Sequence, residues 1–157
     1  MKALQLVKYG EIKDSLAFNE VSRPSIKGTD VLIEVKAAAI NPIDKLIILG
    51  NLQGMLPVTF PNTIAYDVSG IVVERGAEVS DFEIGDLVYS RVPQEQMGTI
   101  AEYVAVTSAA VSKKPGNISF EEAASLPLAG LTALQSLEYA GIKENDKVLI
   151  HAGSGGV

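Results

Sequence analysis

The chain has 157 residues, 47% of them hydrophobic and 20% charged, a balance that folded globular proteins have and disordered segments lack. Its formal charge is −6 and its 13 Lys and Arg form no basic stripe, which argues against a nucleic-acid partner. The absence of cysteine excludes disulfides, thiolate zinc sites and a cysteine nucleophile, and no apolar run approaches the ~20 residues of a membrane helix.

The opening, MKALQLVKYGEIK, reads as a first strand and lacks the apolar core of a signal peptide, so the composition predicts a soluble, cytoplasmic protein. DVLIEVKAAAI follows, with Val31, Ile33 and Val35 on one face and Leu32, Glu34 and Lys36 on the other, the period of a half-buried strand. DVSGIVVERG, DLVYSRV and TIAEYVAV repeat this pattern, with turns marked by Gly28-Thr29-Asp30, Gly76-Ala77-Glu78 and Gly85-Asp86. Five or six short strands in this span predict a small barrel or sandwich. Asn41 to Pro61 is apolar without period 2 and holds three prolines, so a short helix near Ile43–Leu49 followed by a long loop is expected there.

The character changes after Lys113-Lys114-Pro115-Gly116. Ser119 and Glu122 have the spacing of a capping box, and Pro127 should end or kink the helix that the box begins. A second helix follows, with Leu128, Leu131, Leu134 and Leu137 at helical spacing and Gly141 as its terminator. KVLIHA has the continuous apolarity of a strand buried on both faces of a parallel sheet, and His151 within it reads as a buried, satisfied histidine.

The last residues, AGSGGV, place Gly153 and Gly155 at the first two positions of a dinucleotide-binding turn. Glycine at the first permits a tight turn, and at the second it lets backbone approach a phosphate. On pattern alone such a tail also reads as a flexible end.

The order of motifs says more than any one of them. AAAINPIDKLIILG, PNTIAYDVSGIVVERGAEVSDFEIGDLVYS, GTIAEYVAV, AASLPLAGLTALQSL and KVLIHAGSGGV follow one another in the order found in the medium-chain dehydrogenase/reductase superfamily, and the chain resembles its zinc-free quinone oxidoreductase branch. The resemblance implies a mainly β protein: a GroES-like barrel over residues 1–115, then from 116 to 157 the first helices and first strand of a truncated Rossmann domain. It further implies NADPH, with NADH not excluded, bound between the two units. The substrate implied is a small quinone or enone, with no nucleic acid or membrane as partner and a homodimer as the full-length state. On this reading the chain is an N-terminal fragment and inactive by itself.

The resemblance also assigns residues. Zinc-dependent relatives hold the catalytic metal with a cysteine matching Asn41 and a histidine matching Tyr66, and neither replacement is a good zinc ligand, so no zinc is expected. Many relatives have Gly where Ala65 stands. By its own pattern Asn41 is a turn residue ahead of Pro42, whereas the resemblance sets it beside the nicotinamide ribose. Asp44 is either a helix cap or a cleft carboxylate, and Tyr66 and Asp67 fall on the cleft floor. Tyr66 is the candidate substrate-side donor, and its alternative is a buried tyrosine bonded to backbone. Thr132 either bonds back to a carbonyl one turn earlier or approaches the nicotinamide carboxamide. Gly153, Gly155 and Gly156 would meet the pyrophosphate.

Two other functions fit parts of the pattern. A 2-enoyl-thioester reductase shares the scaffold but needs a basic mouth for its carrier, which a charge of −6 does not offer. A non-catalytic GroES-like binding module has no use for helices and a dinucleotide strand after the barrel.

Overall fold

Strand β1 (Lys2–Leu6) runs antiparallel between β2 (Leu16–Glu20) and the two-residue β4 (Asn62–Thr63), with one helical turn, α1 (Ile12–Ser15), linking β1 to β2. A second antiparallel sheet has the order β7 (Tyr103–Thr107), β3 (Asp30–Ala39), β5 (Asp67–Arg75), β6 (Leu87–Arg91) and β8 (Val111–Lys113). Backbone bonds from Leu4 to Ile100 (2.9 Å) and from Val35 to Glu102 (3.0 Å) join the two sheets into a barrel. The structure is a computed structural model that describes all 157 residues. The strands beyond the expected five or six are β2, β4 and β8. The last two are too short for any alternation to show in sequence.

The inward face of β3 is the one its alternation predicts. Val31 and Ile33 are fully buried and share the core with Leu6, Val68, Val72, Val88 and Val106. Leu32 lies on the opposite face and is equally buried, against expectation. The reason is α3 (Phe120–Ser125), which packs on the outer side of β3 and β5 through the small residues Ala123 and Ala124. The Ser69 hydroxyl donates to the Phe120 carbonyl at 2.5 Å and fixes the helix on the sheet. The first helix beyond residue 115 is therefore part of the barrel's outer layer.

The starts of α2 and α3 follow from local chemistry. In α2 (Pro42–Ile48) proline occupies the first turn, where its missing N–H costs nothing, and Asp44 accepts from the Asn41 N–H at 2.6 Å. In α3 the predicted box is present, with Ser119 Oγ accepting from the Glu122 N–H at 3.1 Å and the Glu122 carboxylate accepting from the Ser119 N–H at 2.7 Å. Ser119→Ala should cost about 1 kcal/mol in urea unfolding; a loss below about 0.3 kcal/mol would mean the box adds nothing. Pro127 separates α3 from α4 (Pro127–Ala140), which ends at Gly141 in the left-handed conformation, φ 65°.

Beyond α3 the expectations for buried structure need correction. Leu131, Leu134 and Leu137 are 46%, 52% and 44% exposed, so nothing covers the leucine face of α4. Lys147–Ile150 forms no strand, and Leu149 is 81% exposed. A strand is defined by its neighbours' hydrogen bonds, and all eight strands are spent on the two barrel sheets. The first Rossmann strand is thus not formed in this chain. His151 follows it into solvent, in a turn, instead of being buried. No helix is long and apolar enough to cross a membrane.

Candidate functional site

The site begins where β3 ends. Asn41 is extended (φ −117°, ψ 162°), as the residue before a proline must be, and it caps α2. Its side-chain amide donates to Asp67 Oδ2 at 2.9 Å. Asp67, the first residue of β5, has no exposed surface. Both its oxygens accept from the Leu128 N–H, each at 3.2 Å. The Leu128 carbonyl in turn accepts from Thr132 Oγ1 at 2.7 Å. One hydrogen-bonded path therefore runs Asn41–Asp67–Leu128–Thr132 and brings together two sequence-predicted residues that lie far apart in the chain.

Thr132 makes the back-bond expected of a mid-helix threonine, and it also lines a cleft of about 460 Å³ with Ile43, Arg91, Leu128, Leu131 and Gln135. Tyr66 does not line that cleft. It borders a separate hollow of about 260 Å³ with Pro57, Thr59, Gln94 and Glu95 among its walls. Arg91 connects the two, its guanidinium carbon 5.0 Å from the Tyr66 ring centroid while it walls the larger cleft.

Electrostatics at this junction are set by burial. Tyr66 is 2% exposed and its hydroxyl has no partner within the chain, unlike the backbone-bonded tyrosine of the alternative reading. Burial pushes its phenol above the ordinary value, with the Arg91 charge opposing, so the group stays protonated through neutral pH. Burial raises Asp67 as well, opposed by its bonds from Asn41 and Leu128 and by Arg91. Asp44 is pushed up to about 6, chiefly by burial; its bond from Asn41 opposes the shift and the Asp67 charge adds to it. Asp44 Oδ1 is buried without a partner. Of the two roles open to it in sequence, Asp44 takes the cap of α2; it lies near Asp67 but does not line the cleft.

The terminal glycines stand apart from this cluster. Gly153, Gly155 and Gly156 are exposed, and none has a positive φ; the left-handed position of the turn falls on Ala152, φ 52°. A Cβ on Gly156 would lie 3.6 Å from the Ala129 side chain, so the tail returns to the first turn of α4.

Sequence reasoning missed Arg91 and the bond from Asp67 to α4. Arg91 sits at the end of an alternating strand, where one charge carries no signal. The Asp67 bond had a signal: the residue at the N-cap of α4 is Leu126, which offers no side-chain acceptor, so the helix start needed one from elsewhere. The structure also explains Ala65, which is fully buried with φ 73°, a conformation that glycine adopts without penalty.

Residues 27–116 match the alcohol dehydrogenase GroES-like domain family. The chain is 39% identical over 163 residues to the 2-methylene-furan-3-one reductase of Solanum lycopersicum, covering 100% of this chain and 42% of that protein. It is 37% identical over 166 residues to the NADPH-dependent alkenal/one oxidoreductase, chloroplastic, of Arabidopsis thaliana, again covering 100% of this chain and 42% of that one. Among solved structures, the quinone oxidoreductase from Coxiella burnetii superposes with a TM-score of 0.86 at 38% identity, over 98% of this chain and 49% of that one. The chain spans about half the length of the relatives it matches, or less.

Proposed function

Because the chain belongs to the alcohol dehydrogenase GroES-like domain family, in the quinone oxidoreductase branch of the medium-chain dehydrogenase/reductase superfamily, we propose that it works within an NADPH-dependent oxidoreductase that delivers hydride to a quinone or an α,β-unsaturated carbonyl without zinc. The observation that supports this reading is the cleft between Ile43 and Arg91 on the barrel and Thr132 on α4, joined at its base by the Asn41–Asp67–Leu128 bonds. The relatives' names supply the nucleotide and the substrate class.

The donor set of the cleft fits the nicotinamide end of such a cofactor. Gln135 has no partner within the chain, Arg91 spends one bond on the Val92 carbonyl, and Thr132 Oγ1 keeps its acceptor lone pairs. Together they can meet a carboxamide and ribose hydroxyls, with Asn41 behind the opposite wall, close to Ile43 in the chain and bonded to Asp67. Gly153, Gly155 and Gly156 are the proposed pyrophosphate contacts. When bound, NADPH supplies the hydride from C4 of its nicotinamide ring. Ile43, Leu128 and Leu131 would keep water from the reacting face. Tyr66, held protonated by burial, lines the neighbouring hollow across Arg91, so its hydroxyl would donate to a substrate oxygen from that side.

The residues present do not suit zinc. The Asn41 amide is committed to Asp67, and the Tyr66 phenol is held neutral, so neither offers an anionic or imidazole lone pair. A homodimer and a cytoplasmic location (consistent with the lack of cysteine) belong to the same proposal, as does a division of the sequence into two units at residues 115/116, with α3 of the second unit packed back on the barrel.

The test is oxidation of NADPH by a protein that carries this chain at its relatives' full length, with benzoquinone or a short enone as acceptor. Chelator-insensitive turnover is expected; no turnover with either acceptor defeats the reading. The 157-residue chain alone should show no NADPH binding by calorimetry, since its glycine tail lies in solvent. A micromolar Kd would overturn that part.

A further inference from the structure

Helix α4 has no cap of its own. Leu126, at its N-cap, is helical (φ −87°, ψ −40°) and apolar, and Pro127 carries no N–H. The first amide available at this end belongs to Leu128, and its acceptor is Asp67, 61 residues earlier in the chain. A carboxylate at the N-terminus of a 14-residue helix meets the positive end of the helix dipole. Buried as fully as Asp67 is, it needs bonded partners to remain charged, and it has them in the Leu128 N–H and the Asn41 amide.

Nothing else polar holds this helix. The Asp67–Leu128 contact is the only hydrogen bond between residues 126–157 and the barrel strands, and no ion pair reaches that segment. Apolar packing adds little, because Pro127 is the one buried residue of α4. Yet four residues of this helix, Leu128, Leu131, Thr132 and Gln135, form one wall of the cleft whose other wall is Ile43 and Arg91.

We propose that Asp67 is the positioning residue of the cleft: its buried carboxylate fastens the start of α4 to the Asn41 turn and so sets the separation of the two walls. For nucleotide binding the proposal rests on the function proposed above; for the fastening it stands alone.

Amide hydrogen exchange on the 157-residue chain tests the fastening. In Asp67→Asn the amides of Leu128, Ala129 and Gly130 should exchange at least tenfold faster, while those of Ile33 and Val72 in the barrel stay within twofold. Ser69→Ala, which removes the bond from the same strand to α3, should leave Leu128 within twofold. Unchanged exchange in Asp67→Asn, or equal acceleration in Ser69→Ala, overturns the fastening. Should Asp67→Asn not fold, the wild-type chain decides. The Asp67 carboxyl carbon, the Asn41 side-chain nitrogen and the Leu128 amide nitrogen should then titrate with one midpoint, and a Leu128 signal that ignores Asp67 overturns the proposal. Asp44, Tyr66 and Arg91 are the other ionisable groups around this carboxylate, and none of them bonds the Leu128 amide.

At the relatives' full length, Asp67→Asn should raise KM for NADPH at least tenfold and lower kcat less than threefold. Faster exchange with an unchanged KM would make Asp67 a helix cap alone and defeat the positioning role. If the wild-type protein does not turn over NADPH, the function proposal fails, and the exchange result still decides the fastening.

Discussion

Gly70→Ala is expected to destabilise the chain by about 3 kcal/mol, because the space for a Cβ is already filled by backbone. A Cβ at this position would lie 2.1 Å from the Glu34 carbonyl oxygen and 2.7 Å from Ile33 Cγ2. The crowding comes from the ladder itself. β3 pairs Val35 with Gly70 and then Ala37 with Ser69, so Lys36 is an extra residue that bows β3 towards β5. Relief would require β3 to move away, but it is hydrogen-bonded to β7 on its other edge, and Val31, Leu32 and Ile33 are fully buried. Gly54→Ala is the control, since its Cβ would meet nothing within 4 Å, and its effect should stay within about 0.5 kcal/mol. Urea midpoints at constant m-value measure both; a Gly70→Ala loss under about 1 kcal/mol would mean that the ladder spreads freely.

Asp44→Asn should abolish a fall in stability between about pH 4 and pH 6. The Asp44 carboxyl is raised from 3.8 to about 6 in the folded chain, chiefly by burial. Between those values the native state holds a proton that the unfolded state has lost, so native stability decreases as pH rises through the interval. At 1.36 kcal/mol per pH unit, a shift of about two units corresponds to roughly 3 kcal/mol, fully present below pH 3.8 and lost above about pH 6. Asparagine has the shape of the protonated acid, and its carbonyl can keep the bond from the Asn41 N–H. The variant should therefore equal the wild type near pH 4 and exceed it at pH 7 by up to about 3 kcal/mol. Equal pH profiles for the two proteins would show that Asp44 ionises without cost where it sits.

Much of the barrel was legible in the sequence because strand and turn signals are local. The alternation Val31, Ile33, Val35 marks an inward face whoever the neighbours are, and Ser119 with Glu122 caps α3 with atoms three residues apart. Gly141 and Pro127 mark the ends of α4 and α3 for equally local steric reasons. The burial of Leu32 was not legible, because it depends on α3 lying across the outside of the sheet. The candidate site was legible in part. Asn41, Tyr66 and Thr132 were picked out by resemblance, yet only coordinates separate Tyr66 into a hollow of its own and connect Asn41 to Thr132.

By itself the sequence determined β1, β3, β5, β6 and β7, the three longer helices α2, α3 and α4, the cap that starts α3, and which family the motif order belongs to. Tertiary structure alone decided the rest. Asp67 caps a helix from 61 residues away, Arg91 stacks on Tyr66, and Val148–Ile150 stays in solvent for want of a neighbouring strand. The division has one physical cause. Periodicity and capping are read from atoms within a turn or two of one another, whereas burial, pairing and the charge state of a carboxylate depend on what the fold places beside it.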